Sequence, residues 1–433
     1  MADKSTNKLN EAVIVDGGRL PFQRSGTGYK NLMAYDLGRM AIEGLIGRSA
    51  INGDDLDRII FGNVIQDVNT SNVGRESALG AGIPYSVPAH TVTMACISSN
   101  QAITSAVDLI RSGQAKIILA GGTETMSDIP IRFQKKFRKK LLETRKYKSP
   151  ADYLGFLKGL RPSDLLPEVP SISEFSTKET MGESADRMAA HFGITREEQD
   201  KYALRSHKLA AKATNEGLLA DELFPAAVPP GFEAITRDNV FREDTSMEKL
   251  SKLKPAFIKP HGTITAGNSS ALTDGASASL IMDKQTALDL GLTPKAYLRE
   301  YIYVAQDPED ELLLGPAYAT PKVLDAMGLT LSDIDVFEFH EAFAGQILSV
   351  LKALNSDKFA KEKLGRDQKV GEIPMDKFNL WGGSLSLGHP FGATGVRLVT
   401  TAADRLHHED GNLALVTACA AGGQGHAIVL ERF

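Results

Sequence analysis

The chain has 433 residues, of which 42% are hydrophobic and 24% charged, and its formal net charge is −5. This balance suits a folded globular protein of two or three domains, at roughly 150 residues per domain, and it offers no basic field to attract nucleic acid. The only cysteines, Cys96 and Cys419, are too few for a disulfide framework and speak for a reducing compartment.

Met1 to Asn10 is polar with both charge signs, and has neither an apolar h-region nor an Arg-rich amphipathic presequence. No apolar run nears the ~18–20 residues of a membrane-spanning helix. Residence in a bacterial cytoplasm is the expectation, or in a mitochondrial matrix if a presequence was removed. Glu11 to Asp16 predicts a first strand closed by Gly17-Gly18, and Leu32 to Arg48 a helix. Asp57 to Val64 predicts a second strand, and Val73 to Gly82 a short helix rich in small residues. The run Thr91-Val92-Thr93-Met94-Ala95-Cys96 has strand character and ends at the cysteine. Ala102, Ile103, Ala106, Val107, Leu109 and Ile110 then recur at helical spacing up to Gly113. A cysteine in that place lies near the unsatisfied N–H groups of a helix start, which favour the thiolate; a small buried hydrophobe is the plainer reading. Lys116 to Ala120 is a continuous apolar run of the kind buried parallel strands show, stopped by Gly121-Gly122. Strands alternating with helices make this an α/β unit.

Composition changes near Ile131. Nine Lys/Arg residues lie between Arg132 and Lys148 against the single acid Glu143, with Phe133, Phe137 and Leu141 four apart on one face. A second apolar stretch, Tyr153 to Leu166, ends in a Pro-rich segment at Pro167 and Pro170. The segment 131–170 reads as a basic amphipathic helical hairpin suited to a membrane surface, an acidic CoA phosphate tail or a partner subunit; the plainer reading is a solvated face on a helix pair packed at home. Met181 to Glu216 is helical, with Thr195-Arg196-Glu197-Glu198 resembling a capping box. Residues 125–262 therefore read as an insertion into an N-terminal half made of 1–124 and 263–292.

The C-terminal half, 293–433, repeats the first. Asp55-Leu56-Asp57-Arg58-Ile59-Ile60-Phe61 matches Asp333-Ile334-Asp335-Val336-Phe337-Glu338-Phe339. Gly388-His389, a helix, and Leu413 to Thr417 follow the plan of Ala95-Cys96, a helix, and Lys116 to Ala120. Three further segments sit at predicted strand ends: Glu338-Phe339-His340-Glu341-Ala342-Phe343-Ala344, the glycine-rich Trp381 to Gly395 with His389, and Thr417-Ala418-Cys419-Ala420-Ala421-Gly422-Gly423. A lone histidine or glycine cluster means little, and no metal-ligand spacing is present. His407-His408 reads as surface.

Val92-Thr93-Met94-Ala95-Cys96, Gly388-His389-Pro390 and Cys419 with its trailing glycines together resemble the motif set of the thiolase family, in order and over essentially the whole chain. Within the family the chain most resembles the β-subunit branch of trifunctional fatty-acid oxidation complexes. That branch shares His340-Glu341-Ala342-Phe343, where many thiolases carry Asn in place of the histidine, and the basic hairpin. The resemblance implies an α/β thiolase fold of two similar βαβαβαββ halves, stacked as five layers (α-β-α-β-α), with a mainly helical loop domain inserted in the first.

It further implies a degradative 3-ketoacyl-CoA thiolase for medium and long chains, with coenzyme A as co-substrate, no permanently bound cofactor and no metal. By resemblance Cys96 is the nucleophile that carries the acyl thioester, His389 its base and an oxyanion donor, Cys419 the acid and base at an ordinary thiol pKa near ~8.5, and His340 the holder of an oxyanion-hole water. The backbone N–H groups of Cys96 and Ala421 form a second hole, Ala421 standing where many thiolases have Gly. Ser270 meets the pantetheine arm, and Met181 and Phe257 wall the same tunnel, although both also suit ordinary core positions. The partners implied are a homodimeric copy and a hydratase/dehydrogenase α-subunit in an α2β2 assembly, with peripheral membrane contact through 131–170. A biosynthetic acetoacetyl-CoA thiolase is the nearest alternative, and a non-catalytic thiolase-like lipid-binding subunit a more distant one. The β-ketoacyl synthases share the architecture, but Cys419 argues against their Cys-His-His site.

Overall fold

The computed structural model describes residues 10–168 and 173–433; what was expected of the first nine residues and of Pro170 lies outside them. The N-terminal half begins β1 (Ala12–Arg19), α1 (Ala34–Arg48), β2 (Arg58–Gly62), α2 (Val73–Gly80), β3 (Ala89–Val92), α3 (Ser98–Arg111), β4 (Ile117–Glu124). A long excursion follows, containing α4 (Lys135–Glu143), α5 (Met181–His191) and α6 (Arg196–Asn215), before β5 (Thr273–Asp283) returns to the sheet. The C-terminal half comprises β6 (Ala296–Ala305), α7 (Gly315–Met327), β7 (Val336–Phe339), α8 (Ala344–Leu354), α9 (Thr394–His408), β8 (Leu413–Ala420) and β9 (Gln424–Arg432).

The first sheet runs β3-β2-β4-β5-β1 and the second β7-β8-β9-β6, with corresponding strands paired in the same senses. The C-terminal counterpart of β3 is reduced to one parallel bridge, Phe337 with Phe378. The sheets touch edge to edge through two residue pairs of β1 and β6. Strand alternation sorts each sheet's faces. Ile14, Ile118, Val336 and Val416 point inward onto α3 and α9, which lie together between the sheets. Val13 and Leu119 point outward under α1, and Phe337 and Leu415 outward under α7 and α8. The layers are therefore helix, sheet, helix pair, sheet, helix.

The repeat legible in the sequence is structural. A one-turn helix precedes β2 and β7 alike, at Gly53–Asp55 and Leu331–Asp333. Asp57 then accepts the N–H groups of Lys116 (2.6 Å) and Ile117 (2.9 Å) at the start of β4, and Asp335 accepts those of Asn412 (2.8 Å) and Leu413 (3.2 Å) at the start of β8. The same carboxylate fixes the same strand register in each half.

Several boundaries differ from expectation. Gly17-Gly18 and Gly121-Gly122 do not end their strands but lie inside β1 and β4. They are sites of close approach: a Cβ at Gly18 would meet Phe224 at 2.5 Å, and one at Gly121 would meet Phe61 at 2.4 Å. The apolar run before Cys96 leaves the sheet at Val92, so the cysteine sits in a turn. The helical stretch from Met181 breaks at Gly193, whose φ of 62° only glycine adopts freely; the capping box at Thr195 is present. In the basic hairpin Phe133 precedes the helix, on a two-residue ladder with Pro167-Glu168, yet its ring still meets Phe137 at 5.1 Å. The second apolar stretch forms only the end of a short helix, Pro150–Leu154, and a one-turn helix at Pro162–Leu165.

A Cβ at Gly122 would lie 1.8 Å from the carbonyl oxygen of Gly392, which is backbone and cannot swing aside. Gly122→Ala is expected to cost ~2 kcal/mol or more by overpacking and to lower Tm or soluble yield. Gly47→Ala, on an exposed face of α1 with nothing within 4 Å, is expected to hold or raise Tm by helix propensity. Equal melting of the two variants contradicts the close-approach account.

Candidate active site

Cys96 follows Ala95, whose φ of 47° is uncommon for a residue with a Cβ. Ser98 holds this tight turn by accepting the Met94 N–H (2.8 Å) and donating to the Ala95 carbonyl (2.7 Å). The thiol is thereby presented, half-buried, just before α3.

The other groups arrive from strand ends of the second half. His340 directly follows β7, and Cys419 is the penultimate residue of the adjacent parallel strand β8; the His340 N–H bonds the Thr417 carbonyl at 2.9 Å. His389 enters from the glycine-rich loop, its N–H donated to Thr273 Oγ1 (3.1 Å) at the start of β5. The His340 and His389 rings lie 4.1 Å apart between centroids, both buried. Cys419 lies close enough to Cys96 for its proton to feel that thiol, and the Ala421 N–H reaches the Cys96 sulfur. Cys96, Cys419 and Ala421 are thus neighbours, and the paired imidazoles lie where β7 ends beside the strand that carries Cys419.

The glycine loop is locked onto the first half. Glu124, at the end of β4, accepts the N–H groups of Val64 (3.1 Å), Ile65 (3.0 Å) and Gly392 (3.0 Å). Val396 N–H bonds Ser99 Oγ at 3.2 Å, and a Cβ at Gly395 would strike the Asn100 side chain at 2.2 Å. His389 is therefore fixed relative to the Cys96 turn by contacts of its loop's backbone with Glu124, Ser99 and Asn100.

The electrostatics correct two expectations. Burial pushes the Cys96 thiol up to about 11, outweighing the pull of the Ala421 and Cys96 N–H groups, with smaller pushes from Glu124 and Glu174. The helix start alone does not make a thiolate. Cys419 is not an ordinary thiol either: burial, and then Cys96, hold its proton well above the usual range. Burial also drives His389 down to about 3 and His340 well below its usual value, so both imidazoles are neutral. The resting site carries no charge on any of the four groups near neutral pH.

Ala421 causes no strain. The left-handed turn positions are Gly422 (φ 83°) and Gly423 (φ 67°), leaving Ala421 to present its N–H. Ser270 donates its backbone N–H to the Ala342 carbonyl at 2.9 Å, close to His340 along the chain. Phe257 packs edge-on against Phe343, with ring centroids 5.8 Å apart, and both Phe257 and Met181 are partly buried against the C-terminal core. Beside Ser269 and Ala271 lies a cavity of about 130 Å³ whose rim holds Arg24, Arg242 and Lys249. Sequence reading missed this cluster because Arg242 and Lys249 lie in a mixed-charge stretch with no periodicity. It also missed Glu174, which accepts the Gly422 N–H (2.9 Å) from the far side of the excursion. Among the described residues no group of three His, Cys, Asp or Glu side chains is arranged to hold a metal ion.

The family descriptions "Thiolase, N-terminal domain" and "Thiolase, C-terminal domain" match residues 12–285 and 292–432. The chain belongs to the thiolase family. It is 61% identical to the trifunctional enzyme subunit beta, mitochondrial, of Bos taurus, over 98% of this chain and 89% of that one. It is 44% identical to the 3-ketoacyl-CoA thiolase of Yersinia pestis, over 98% of each. Among solved structures, the Bacillus anthracis acetyl-CoA acetyltransferase superposes with a TM-score of 0.85 at 30% identity, covering 99% of this chain and all of that one. Human mitochondrial 3-ketoacyl-CoA thiolase in complex with CoA gives 0.84 at 30% identity, covering 98% and 99%. This thiolase therefore has the five-layered family fold described above.

A neutral resting site has an optical consequence. The thiolate absorbance near ~240 nm, taken as wild type minus Cys96→Ser, is expected to be absent at about pH 7 and to grow in only above about pH 9, because the thiol pKa is raised. A full-amplitude signal at about pH 7 contradicts the account.

Proposed function

We propose that the chain is a 3-ketoacyl-CoA thiolase, an acyltransferase that splits a 3-ketoacyl-CoA with coenzyme A into acetyl-CoA and an acyl-CoA two carbons shorter. The observation that carries this reading is the convergence of two thiols with two buried, neutral imidazoles whose Nε2 atoms have no protein partner. Cys96 Sγ attacks the 3-keto carbon while His389 Nε2 takes the thiol proton. The oxyanion formed there lies at the N–H groups of Cys96 and Ala421. Its collapse breaks the C2–C3 bond, and the electron pair enters an enolate whose oxygen faces protonated His389 and a water held by His340. Cys419 gives its proton to C2, releasing acetyl-CoA. Its thiolate then deprotonates the incoming CoA, which attacks the Cys96 thioester, and His389 returns the proton to Cys96.

The raised pKa of Cys419 suits both halves of this cycle. Its proton stays in place until a carbanion demands it, and the thiolate left behind is a stronger base than the CoA thiolate it generates. Arg24, Arg242 and Lys249 supply the cations for CoA phosphates, and Ser270, Met181 and Phe257 flank the pantetheine. That a related human thiolase has been solved in complex with CoA supports coenzyme A as the co-substrate.

The partners follow the same relatives. Trifunctional enzyme subunit beta, mitochondrial, is by name one subunit of a larger enzyme, which supports an α-subunit partner; the arrangement proposed for the pair is an α2β2 assembly around a homodimer. The hairpin carries exposed Leu142, Leu154, Leu157 and Leu166 among its cations, which supports docking to that subunit with contact to anionic lipid. Relatives named as mitochondrial and as bacterial support a matrix or cytoplasmic location; among the described residues no helix is long and apolar enough to cross a membrane.

Purified chain, with and without α-subunit, is expected to cleave a sixteen-carbon 3-ketoacyl-CoA in a CoA-dependent reaction that Cys96→Ala abolishes. Turnover confined to a four-carbon substrate moves the protein to the acetoacetyl-CoA reading, and no turnover in either preparation overturns the enzyme reading. Arg242→Ala is expected to raise KM for CoA about 10-fold with kcat held, a loss of ~1.4 kcal/mol of uniform binding; an unchanged KM removes the cavity from the CoA site. Deleting 131–170 is expected to weaken α-subunit capture and liposome binding, and retention of both contradicts the docking role.

A further inference from the structure

We infer that the two site histidines are locked in opposite tautomers, His389 by Thr394 and His340 by Ser384 with Arg397, which makes these three the positioning residues of the proton transfers; the inference rests on the thiolase reading above. Each imidazole leaves only Nε2 free, so what the other nitrogen bonds decides whether Nε2 is a base or a donor.

His389 Nδ1 lies 2.6 Å from Thr394 Oγ1, and that hydroxyl also lies 3.0 Å from the Pro390 carbonyl. A carbonyl can only accept. The one hydroxyl hydrogen goes there, and Thr394 Oγ1 is left as the acceptor of the His389 Nδ1–H. His389 Nε2 then has no hydrogen and presents a lone pair. The same Nε2, once protonated by Cys96, is the donor that the enolate meets.

Around His340 the order is reversed. Its Nδ1 lies 2.8 Å from Ser384 Oγ, and that oxygen also receives Arg397 Nη2 at 2.8 Å. A guanidinium can only donate. Ser384 is fully buried, and His340 Nδ1 is the acceptor left for its hydrogen. Ser384 therefore donates to Nδ1, and His340 carries its hydrogen on Nε2, where it is unpartnered and buried. Arg397 is itself buried and steadied by Glu338, 3.6 Å away, which Arg405 holds at 2.7 Å. The relay Arg405–Glu338–Arg397–Ser384–His340 thus ends in a fixed N–H donor, while Pro390–Thr394–His389 ends in a fixed base. Rings 4.1 Å apart in one pocket are given different chemistry by their outer neighbours alone.

The test separates the two chains of bonds by using two readouts. Thr394→Val keeps the shape but cannot accept from Nδ1, so it is expected to slow iodoacetamide labelling of Cys96 at least about 10-fold, read by peptide mass, and to lower kcat in parallel. Thr394→Ser is expected to restore both. Ser384→Ala is expected to leave Cys96 labelling within about twofold of wild type yet lower kcat for thiolysis by about 10–100-fold with little change in KM, because it removes a donor that matters only once charge develops. Nitrogen-15 histidine spectra of wild type are expected to show one Nδ1–H and one Nε2–H imidazole missing from His389→Ala and His340→Ala respectively, a readout that survives if Thr394→Val or Ser384→Ala does not fold. Equal labelling in Thr394→Val and wild type, slowed labelling in Ser384→Ala, or the same tautomer at both rings overturns the inference. Failure of the thiolase reading is seen separately, as absence of turnover in wild type while the labelling and spectra remain readable.

Discussion

Backbone lies directly on backbone where the glycine-rich loop of the second half meets the strands of the first, and no side chain fits between them. Gly62 and Gly122 both face the Gly392 carbonyl, and Gly395 faces the first turn of α3. The Glu124 carboxylate closes the contact by collecting N–H groups from both sides. Cys96 belongs to one half and His389 to the other, so their relative position is set by this contact rather than by flexible side chains. Preorganisation of this kind lets a site act without rearrangement at the moment of reaction.

Burial does the rest of the chemistry. Two thiols and two imidazoles withdrawn from water are each driven toward their neutral forms. Such a site stores no thiolate. In the proposed reaction a substrate carbonyl supplies a developing oxyanion that compensates the charge left on the histidine, so proton transfer and bond formation are coupled. The same burial keeps the protons on both Cys96 and Cys419, which in the proposed cycle makes the one a poor resting nucleophile and the other a well-matched acid for a carbanion. In the mechanism we propose, charge is met at fixed donors: two backbone N–H groups on one side, and on the other imidazoles oriented from behind by Thr394 and Ser384.

The fold was legible in the sequence wherever period and repeat carried it. The Asp57 and Asp335 windows marked equivalent strands because the same carboxylate performs the same capping in both halves. Cys96 and Cys419 stood out because each lies at the end of an apolar run, where strands deliver side chains to a cleft, and His389 because it sits in a glycine-rich loop. What sequence could not give was long-range packing. Gly17-Gly18 and Gly121-Gly122 looked like strand stops, since glycine's turn preference is local and its role under Phe224, Phe61 or Gly392 is not. The thiol pKa values were misjudged for the same reason: a helix start is visible in sequence, burial is not. Arg242, Thr394 and Ser384 gave no signal beyond ordinary surface and capping chemistry.

The central claim is that Cys96, and no other group, takes the acyl chain from a 3-ketoacyl-CoA. The most direct measurement is rapid-quench peptide mass spectrometry of the enzyme mixed with a sixteen-carbon 3-ketoacyl-CoA in the absence of free CoA. The account requires a fourteen-carbon acyl group on the Cys96 peptide, appearing together with acetyl-CoA and discharged when CoA is added. Acetyl-CoA release with the acyl group on Cys419, or with no acylated peptide at all, would contradict it.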